Sequence, residues 1–340
     1  MLNIYSILRI SSLIKSKRIK LFGVWLFHVI GRRYIGVFLD PVLACNFRCR
    51  MCYFSDEECR KNFRGSFDYE EIEQIAKSLF HRALKCQIGC GAEPTLHNDL
   101  TKIVLLGKKF KVPYIALTTN GYLLDKEKLI ELVEVGLNEL TLSCHGLTRH
   151  TYEYFMVNGS FDHFCLLLKE ISEIKRQYPD FRLRINFTVN NLNVKELNQI
   201  WNVTGDAVDI LQIRPVQEIG NTDYSDFDLS TIYENYDSIF IPLTMECRKR
   251  NITFLMPGKE NIIALKDRES DNAEFEEATY CYISPKNCWK DDFDYRTDNF
   301  ESYSKRMKLA HTLFRNIFFR NKRKEIDLVR KMNYNVVTNP

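Results

Sequence analysis

The sequence predicts an α/β fold in which parallel strands are covered by helices. Three observations support this prediction: strand-like apolar runs alternate with helical patterns about six times, the links between them are short, and 45% of the 340 residues are hydrophobic. Strands that alternate with helices in this way form parallel sheets. Six or more units predict an open doubly wound sheet or a partial barrel. For the chain beyond these units, the sequence predicts a mostly helical C-terminal extension.

The strands are predicted from short runs of β-branched and apolar residues, and the helices from apolar residues that recur every three or four positions. Strands are expected at residues 34–43, 85–89, 114–119, 139–144, 182–189 and 208–213. Helices are expected at residues 69–84, 100–110, 126–135, 161–177, 194–201 and, beyond a polar linker at 221–230, at 232–250. Ligands bind such folds at the C-terminal ends of the strands, so the residues that follow strands are the candidates for a site.

Charge and cysteine content narrow the class of protein. Charged residues make up 27% of the chain and the net charge is +4, which is ordinary for a globular protein and does not indicate a nucleic-acid partner. The eleven cysteines include three within eight residues. Such clustering in a long chain favours metal ligands or reactive thiols in a reducing compartment over a secreted disulfide scaffold. A cytoplasmic location is therefore expected.

The N-terminal segment, residues 1–33, is basic and partly apolar. It contains seven Lys or Arg residues and no Asp or Glu. Its apolar run at residues 21–30 is too short for a membrane-spanning helix, which needs about 20 apolar residues. Two interpretations stay open: the segment packs against the main domain, or it lies on an anionic membrane surface as a basic amphipathic helix. A second basic stretch covers residues 305–331.

The most informative feature is a cysteine triplet, Cys45, Cys49 and Cys52, directly after the first predicted strand. Three thiolates on one short loop can converge on a metal centre, and thiolates suit zinc, copper(I) and iron–sulfur clusters. Four thiolates would fill a closed structural zinc site, whereas three leave one metal position open, as a catalytic centre needs. A structural zinc loop or a non-catalytic metal-binding redox module remains the alternative.

The C-x3-C-x2-C spacing, followed by the aromatic Tyr53, resembles the radical S-adenosylmethionine (SAM) superfamily. The resemblance implies a partial (βα)6 TIM-like barrel over residues 34–222 and a [4Fe–4S] cluster held by the three cysteines. It also implies that S-adenosylmethionine chelates the fourth iron, that Tyr53 lies near its adenine, and that flavodoxin or ferredoxin supplies electrons. The reduced cluster would cleave S-adenosylmethionine into a radical that takes a hydrogen atom from the substrate.

A second motif follows the next predicted strand. Residues 91–94 read Gly-Ala-Glu-Pro and resemble the family's Gly-Gly-Glu-Pro motif, in which backbone groups and the glutamate receive the methionine amino group. The resemblance therefore implies cosubstrate contacts for Gly91, Glu93 and Pro94. Ala92 stands where the family has a second glycine, and its methyl group fits the motif if its φ angle is negative.

Three further polar residues are candidates by their place at strand ends or within strands. Asn120 ends the third strand within Thr-Thr-Asn-Gly, a sequence that is also a common turn signal. Ser143 ends the fourth strand and Asn186 lies in the fifth, where the family often contacts the ribose and carboxylate of the cosubstrate. The resemblance thus adds Asn120, Ser143 and Asn186 to the cofactor-binding set.

The C-terminal region, residues 223–340, is expected to be a SPASM/twitch-like region with a basic helical tail. This expectation comes from residues 145–164, which resemble peptide-modifying and sulfatase-maturing members that carry an auxiliary cluster. Cys247, Cys281 and Cys288 are the candidate ligands of such a second [4Fe–4S] cluster, and buried free thiols are the alternative. The resemblance implies a peptide or protein substrate. A small molecule, or a lipid or glycan at a membrane surface, stays open.

Overall fold

The computed structural model describes residues 16–259, 262, 273–319 and 336–338, with residues 5, 10, 13 and 14. These residues form one nine-stranded sheet in the order β8-β1-β2-β3-β4-β5-β6-β7-β9. The strands are β1 Ile35–Leu39, β2 Ala83–Ile88, β3 Ile115–Thr119, β4 Glu139–Cys144, β5 Arg182–Val189, β6 Ile210–Pro215, β7 Thr253–Pro257, β8 Tyr280–Ile283 and β9 Val336–Thr338. Strands β1 to β8 are parallel to their neighbours and β9 is antiparallel to β7. The predicted α/β fold with an unclosed, parallel partial barrel is confirmed.

Thirteen α-helices lie within the described residues. They are α1 Lys17–Val29, α2 Glu57–Asn62, α3 Tyr69–Leu79, α4 Leu100–Lys109, α5 Lys126–Glu134, α6 Arg149–Phe155, α7 Phe161–Gln177, α8 Ile200–Thr204, α9 Ser230–Glu234, α10 Tyr236–Lys249, α11 Ala273–Thr279, α12 Phe300–Arg306 and α13 Leu309–Phe318. Local capping sets several of their starts. Asp68 accepts the N–H of Glu71 at 2.7 Å and Glu71 accepts the N–H of Asp68 at 3.2 Å, so α3 begins with a capping box.

The repeated strand–helix units lie within a few residues of their predicted positions, with one exception between β5 and β6. The helix predicted at residues 194–201 is a 3-10 helix, Val194–Gln199, followed by the short α8. Asn193 donates from Nδ2 to the carbonyls of His145 at 3.0 Å and Thr188 at 2.9 Å. These bonds fix the start of the connection between β5 and β6. Hydrophobic periodicity carries no information about them.

The C-terminal region contributes strands as well as helices. β7 extends the sheet beyond β6, and β8 pairs with β1 at the other end, so the region predicted as a separate unit completes both ends of one sheet. Cys281, one of the candidate ligands of a second cluster, lies buried within β8 beside Val37. The apolar tetrapeptide of β8 was the sequence signal for this strand. The division of the chain at residue 222 stays a prediction.

The two faces of the sheet differ in polarity. On the outer face, apolar side chains such as Val37, Ile88 and Leu140 pack against the helices. The inner face carries a fully buried carboxylate, Glu139, which pairs with Arg184 at 2.8 Å and accepts the hydroxyl of Tyr114 at 2.6 Å. The barrel interior is therefore polar where a filled barrel would be aliphatic.

The N-terminal segment packs against the barrel in two places. The hydroxyl of Tyr5 donates to Glu139 at the N-terminal end of β4, and α1 packs along α13, with the ring centroids of Trp25 and Phe314 5.3 Å apart. None of the helices in the described residues is both long enough and apolar enough to cross a bilayer.

One glycine at the end of β2 is required by its backbone. Gly89 has φ +79°, and an added Cβ would lie 2.7 Å from Cγ of Pro94 and collide with the carbonyl oxygen of Thr118. We expect Gly89→Ala to lower the free energy of unfolding by about 3 kcal/mol, from left-handed strain plus overpacking. The control is Gly23→Ala, where nothing lies within 4 Å and a gain of about 0.5–1 kcal/mol is expected in mid-helix. Urea unfolding measures both, and equal effects would contradict the explanation.

Candidate active site

The three cysteines lie on the loop that follows β1, at the C-terminal edge of the sheet. Cys45, Cys49 and Cys52 are all free and partly buried. The loop is held from within: the N–H of Cys52 donates to the carbonyl of Cys49 at 2.9 Å, and Arg48 Nη1 donates to the carbonyl of Cys45 at 2.7 Å. The backbone thus presents three thiols from one short, internally bonded segment.

The electrostatics of these thiols favour the protonated form in the metal-free protein. Burial raises the pKa of Cys45 to about 12 and that of Cys52 to about 11. Burial also raises the pKa of Cys49 well above its usual value, and the nearby charges of Cys52 and Cys45 add to this effect. Metal ligands must be thiolates, so binding here would release protons and compensate the buried charge.

The three thiols do not surround one point. In the part of the chain that the structure describes, no three His, Cys, Asp or Glu side chains surround a position for a single metal ion. The mutual influence of Cys49, Cys45 and Cys52 on their pKa values nevertheless places the three thiols in one neighbourhood. Their role as cluster ligands stays a prediction, and the donor set of three thiols suits an iron–sulfur cluster.

Glu93 follows β2 and is hydrogen-bonded to the end of β3, at the same C-terminal edge of the sheet. Glu93 is only 2% exposed, and burial raises the pKa of its carboxyl group. Oε1 accepts from the hydroxyls of Thr95 and Thr119, both at 2.6 Å, and Oε2 accepts the N–H of Asn120 at 2.8 Å. The Glu93 N–H donates to the carbonyl of Ala44 at 2.8 Å. This residue therefore connects the cysteine loop to the end of β3.

Asn120 brings the third strand to the cysteines. Its Nδ2 lies 4.0 Å from the sulfur of Cys45 and donates to Oδ1 of Asn46 at 2.8 Å. Its own Oδ1 accepts the N–H of Tyr122 at 3.0 Å. The structure thus brings Cys45, Glu93 and Asn120 into one hydrogen-bonded group, and Pro94, the residue after Glu93, is buried.

A buried carboxylate that sequence reasoning missed, Asp40, holds the Gly91 loop. Oδ1 of Asp40 accepts the N–H of Cys90 at 2.7 Å and Oδ2 accepts the N–H of Gly91 at 3.0 Å. The hydroxyl of Tyr282, in β8, donates to Oδ2 at 2.8 Å. The position of Asp40 just after β1 was a signal, but its partners come from β8 and from the loop after β2.

Gly91 and Tyr53 contact each other, as two of the predicted cosubstrate residues. The hydroxyl of Tyr53 donates to the carbonyl of Gly91. A Cβ at Gly91 would lie 2.7 Å from that hydroxyl, so a larger residue here would displace the hydroxyl of Tyr53. Ala92 does not have a positive φ angle, which meets the condition set by the sequence for its methyl group.

Ser143 and Asn186 lie side by side on the inner face of the barrel. They are paired in the β4–β5 register, one strand beyond β3. The Oδ1 atom of Asn186 is buried and has no hydrogen-bond partner among the described residues. A buried acceptor of this kind can accept a hydrogen bond from a donor such as a ribose hydroxyl or an amine. The residues present therefore fit a polar cosubstrate beside the cysteine loop.

The three C-terminal cysteines are not brought together. Cys247 is buried in α10, which packs on β7, whereas Cys281 lies in β8 at the other end of the strand order. Cys288 is close to Cys281, since its charge contributes to the raised pKa that burial gives the Cys281 thiol. Cys281 and Cys288 therefore lie near each other, and Cys247 lies apart from them.

The contribution of β8 to the site can be measured through its two tyrosines. Tyr282→Phe removes the hydroxyl that donates to Asp40, and we expect a loss of about 1 kcal/mol in the free energy of unfolding. Tyr280→Phe, in the same strand, is the matched control and should change it by less than about 0.5 kcal/mol. Thermal or urea unfolding reports both values. Similar losses in the two variants would show that Asp40 does not depend on this bond.

Comparison with known proteins agrees with this geometry. Residues 40–186, from the cysteine loop into β5, match the radical SAM superfamily. A protein of Saccharolobus islandicus described as "Probable GTP 3',8-cyclase" is 25% identical over 220 residues, which cover 63% of this chain and 68% of that protein. Its counterpart in Sulfurisphaera tokodaii is 28% identical over 177 residues, 51% of this chain and 54% of that protein.

Solved structures share the fold. SuiB of Streptococcus suis bound to S-adenosylmethionine superposes with a TM-score of 0.56 at 17% identity over 76% of this chain, and SuiB bound to precursor peptide SuiA with 0.57 at 18% over 74%. The chain spans 58–60% of these two SuiB chains. Residues 40–186 of this chain therefore match the radical SAM superfamily, and the chain shares its fold with these solved structures.

Proposed function

We propose that the chain holds one [4Fe–4S] cluster through Cys45, Cys49 and Cys52 and cleaves S-adenosylmethionine reductively. The observation that supports this most directly is the hydrogen-bonded group at the sheet edge, in which Glu93 and Asn120 connect the cysteine loop to β3. When bound, the reduced cluster supplies the electron that splits S-adenosylmethionine into methionine and a radical that abstracts hydrogen from the substrate. Flavodoxin or ferredoxin would supply that electron.

The proposed roles of the other residues follow from their positions. Gly91, Glu93 and Pro94 form the wall for the methionine end of the cosubstrate, and Asn120 lies between this wall and Cys45. Tyr53, bonded to Gly91, would lie against the adenine. Ser143 and Asn186 would face the ribose and carboxylate from the inner wall, where the unpaired Oδ1 of Asn186 can accept a donor.

For the substrate we propose a peptide or protein segment rather than a nucleotide. The fold likeness to a SuiB structure with its precursor peptide supports a peptide, and the relatives named as probable GTP 3',8-cyclases support a nucleotide. The observation that favours a peptide is an open cavity of about 860 Å³ lined by residues 218, 220–222, 224–230 and Ile262. Its lining includes Glu218, Asp226 and Asp228, and none of the described lining residues is Lys or Arg.

This cavity adjoins the cysteine segment. The N–H of Asp223 donates to Oγ of Ser55 at 2.9 Å, so the loop after β6 contacts the turn that follows Cys52. An acidic lining repels a triphosphate and suits a neutral or basic peptide. The same chemistry argues against an anionic lipid as substrate.

We propose one cluster rather than two. Cys247 lies apart from Cys281 and Cys288, so the three C-terminal cysteines do not form a common ligand set in the described residues. An iron content near four per chain is the expected value for a single [4Fe–4S] cluster.

The experiment is anaerobic reconstitution with iron and sulfide, followed by dithionite and S-adenosylmethionine. Release of 5′-deoxyadenosine is the expected result. Iron-loaded protein that releases none would contradict cleavage and favour a non-catalytic redox module. Adding GTP or a basic peptide library to the same assay tests the substrate, because deuterium transfer into 5′-deoxyadenosine from deuterated peptide supports our choice and transfer from deuterated GTP contradicts it.

A further inference from the structure

Helix α1 has two apolar faces, although a surface helix needs only one. Its inner face is buried through Leu21 and Val24. Its outer face carries a second apolar stripe at helical spacing, formed by Ile19, Phe22, Leu26, Val29 and Ile30, and all five side chains are exposed. Phe22, for example, is 48% exposed. Packing against the barrel accounts for the first face only.

Helix α13 continues this apolar area. Trp25 bridges the two helices, with ring centroids 5.6 Å from Phe22 and 5.3 Å from Phe314. Phe314 contacts Phe318 at 5.3 Å, and Phe318 is 56% exposed. We call the exposed residues of both helices the α1–α13 surface: Ile19, Phe22, Leu26, Val29, Ile30, Phe314 and Phe318. Apolar patches of this kind mark interaction sites on globular proteins.

Charge indicates what covers this surface. Arg18 and Lys20 flank the outer stripe of α1, and Arg32 follows the helix and is exposed. Across residues 1–33 the chain has seven cations and no acid. Aromatic and aliphatic side chains bordered by Lys and Arg are typical of helices that lie in the plane of an anionic bilayer interface. A second copy of the same basic surface would be repelled, so self-association is the less favoured occupant.

We propose that the α1–α13 surface binds an anionic membrane surface. α1 precedes β1, whereas the cysteine loop follows β1, so the two lie at opposite ends of that strand. Docking through α1 therefore leaves the open edge of the barrel facing water. The contact localises the enzyme at a membrane and leaves its substrate to arrive from solution.

The test uses the full chain and vesicles of phosphatidylcholine with or without one part in four of phosphatidylglycerol. We expect co-sedimentation with the anionic vesicles. The double variant Phe22→Ser with Phe318→Ser should weaken partitioning more than about tenfold, since two exposed aromatic side chains are lost. The matched control, Leu105→Ser with Leu166→Ser, changes side chains that are 49% and 53% exposed outside this surface and should bind like the parent.

A charge variant separates the two contributions. Arg18→Glu with Arg32→Glu should reduce binding to anionic vesicles more than about tenfold, because each basic residue near such a surface contributes about fivefold. Binding to neutral vesicles should change little. All variants should release 5′-deoxyadenosine like the parent. A failure of the membrane-binding proposal can therefore be distinguished from a failure of the proposed chemistry.

Three results would overturn the proposal. The first is no binding to anionic vesicles by the parent protein. The second is an equal loss of binding in the Leu105/Leu166 control. The third is a dimer in light scattering that Phe22→Ser with Phe318→Ser converts to a monomer, because a second copy would then cover the surface.

Discussion

Cys49→Ala is expected to abolish cluster binding and the release of 5′-deoxyadenosine. Cys49 is the middle thiol of the triplet: burial raises its pKa, and the neighbouring Cys52 and Cys45 add to this effect. Two remaining thiolates leave two of four irons without protein ligands, and ligand loss in such sites removes the folding free energy that metal binding supplies. Iron content after anaerobic reconstitution should fall from about four per chain to near zero.

The matched control is Cys59→Ala, in the same cysteine-rich segment. Cys59 lies in α2 and is bonded through its backbone: its N–H donates to Oδ1 of Asp56 at 2.6 Å, and its carbonyl accepts the N–H of Phe63 at 2.7 Å. Alanine keeps both bonds, so iron content and activity should stay at the parent's level. If Cys49→Ala kept full activity, or if both variants lost iron equally, the assignment of the ligands would be wrong.

Glu93→Gln is expected to weaken S-adenosylmethionine binding by about 10–100-fold. The buried carboxylate accepts from Thr95, Thr119 and Asn120, and an amide would place a donor against at least one of these donors. Hydrogen bonds to a buried charged group contribute about 1.5–3 kcal/mol each, and each 1.4 kcal/mol is a tenfold change in affinity. Equilibrium binding to the reconstituted protein measures the effect.

Glu196→Gln separates loss of binding from loss of stability. Glu196 is bonded in a similar way, since it accepts the N–H of Leu147 and the hydroxyl of Thr151, both at 2.6 Å, but it lies in the 3-10 helix Val194–Gln199 and contacts the start of α6. Both variants should lose stability, and only Glu93→Gln should lose affinity. Equal affinity losses would assign Glu93 a purely structural role.

The strands and the cysteine loop could be predicted from sequence because their signals are local. Runs of β-branched residues mark β3, β5 and β6, and the spacing of the triplet lies within eight residues. The motif after β2 could be assigned because the sheet brings successive strand ends to one edge. These inferences need only the order of elements along the chain.

The contacts that hold the site residues in place could not be predicted, because they join residues that are far apart in the chain. Asp40 is bonded to Tyr282, 242 residues later in the chain, and this contact exists only because β8 pairs with β1. Likewise, the sequence showed that α1 is apolar and basic but not which apolar stripe the barrel leaves exposed. A helix with apolar residues on both faces gives no local signal for the choice between them.

Iron stoichiometry combined with electron paramagnetic resonance of anaerobically purified protein tests the central claim most directly. We predict about four irons per chain and a reduced-cluster signal that changes when S-adenosylmethionine is added, since one iron position is left open by three cysteines. One zinc per chain without iron would contradict the account, and so would a cluster signal that S-adenosylmethionine leaves unchanged.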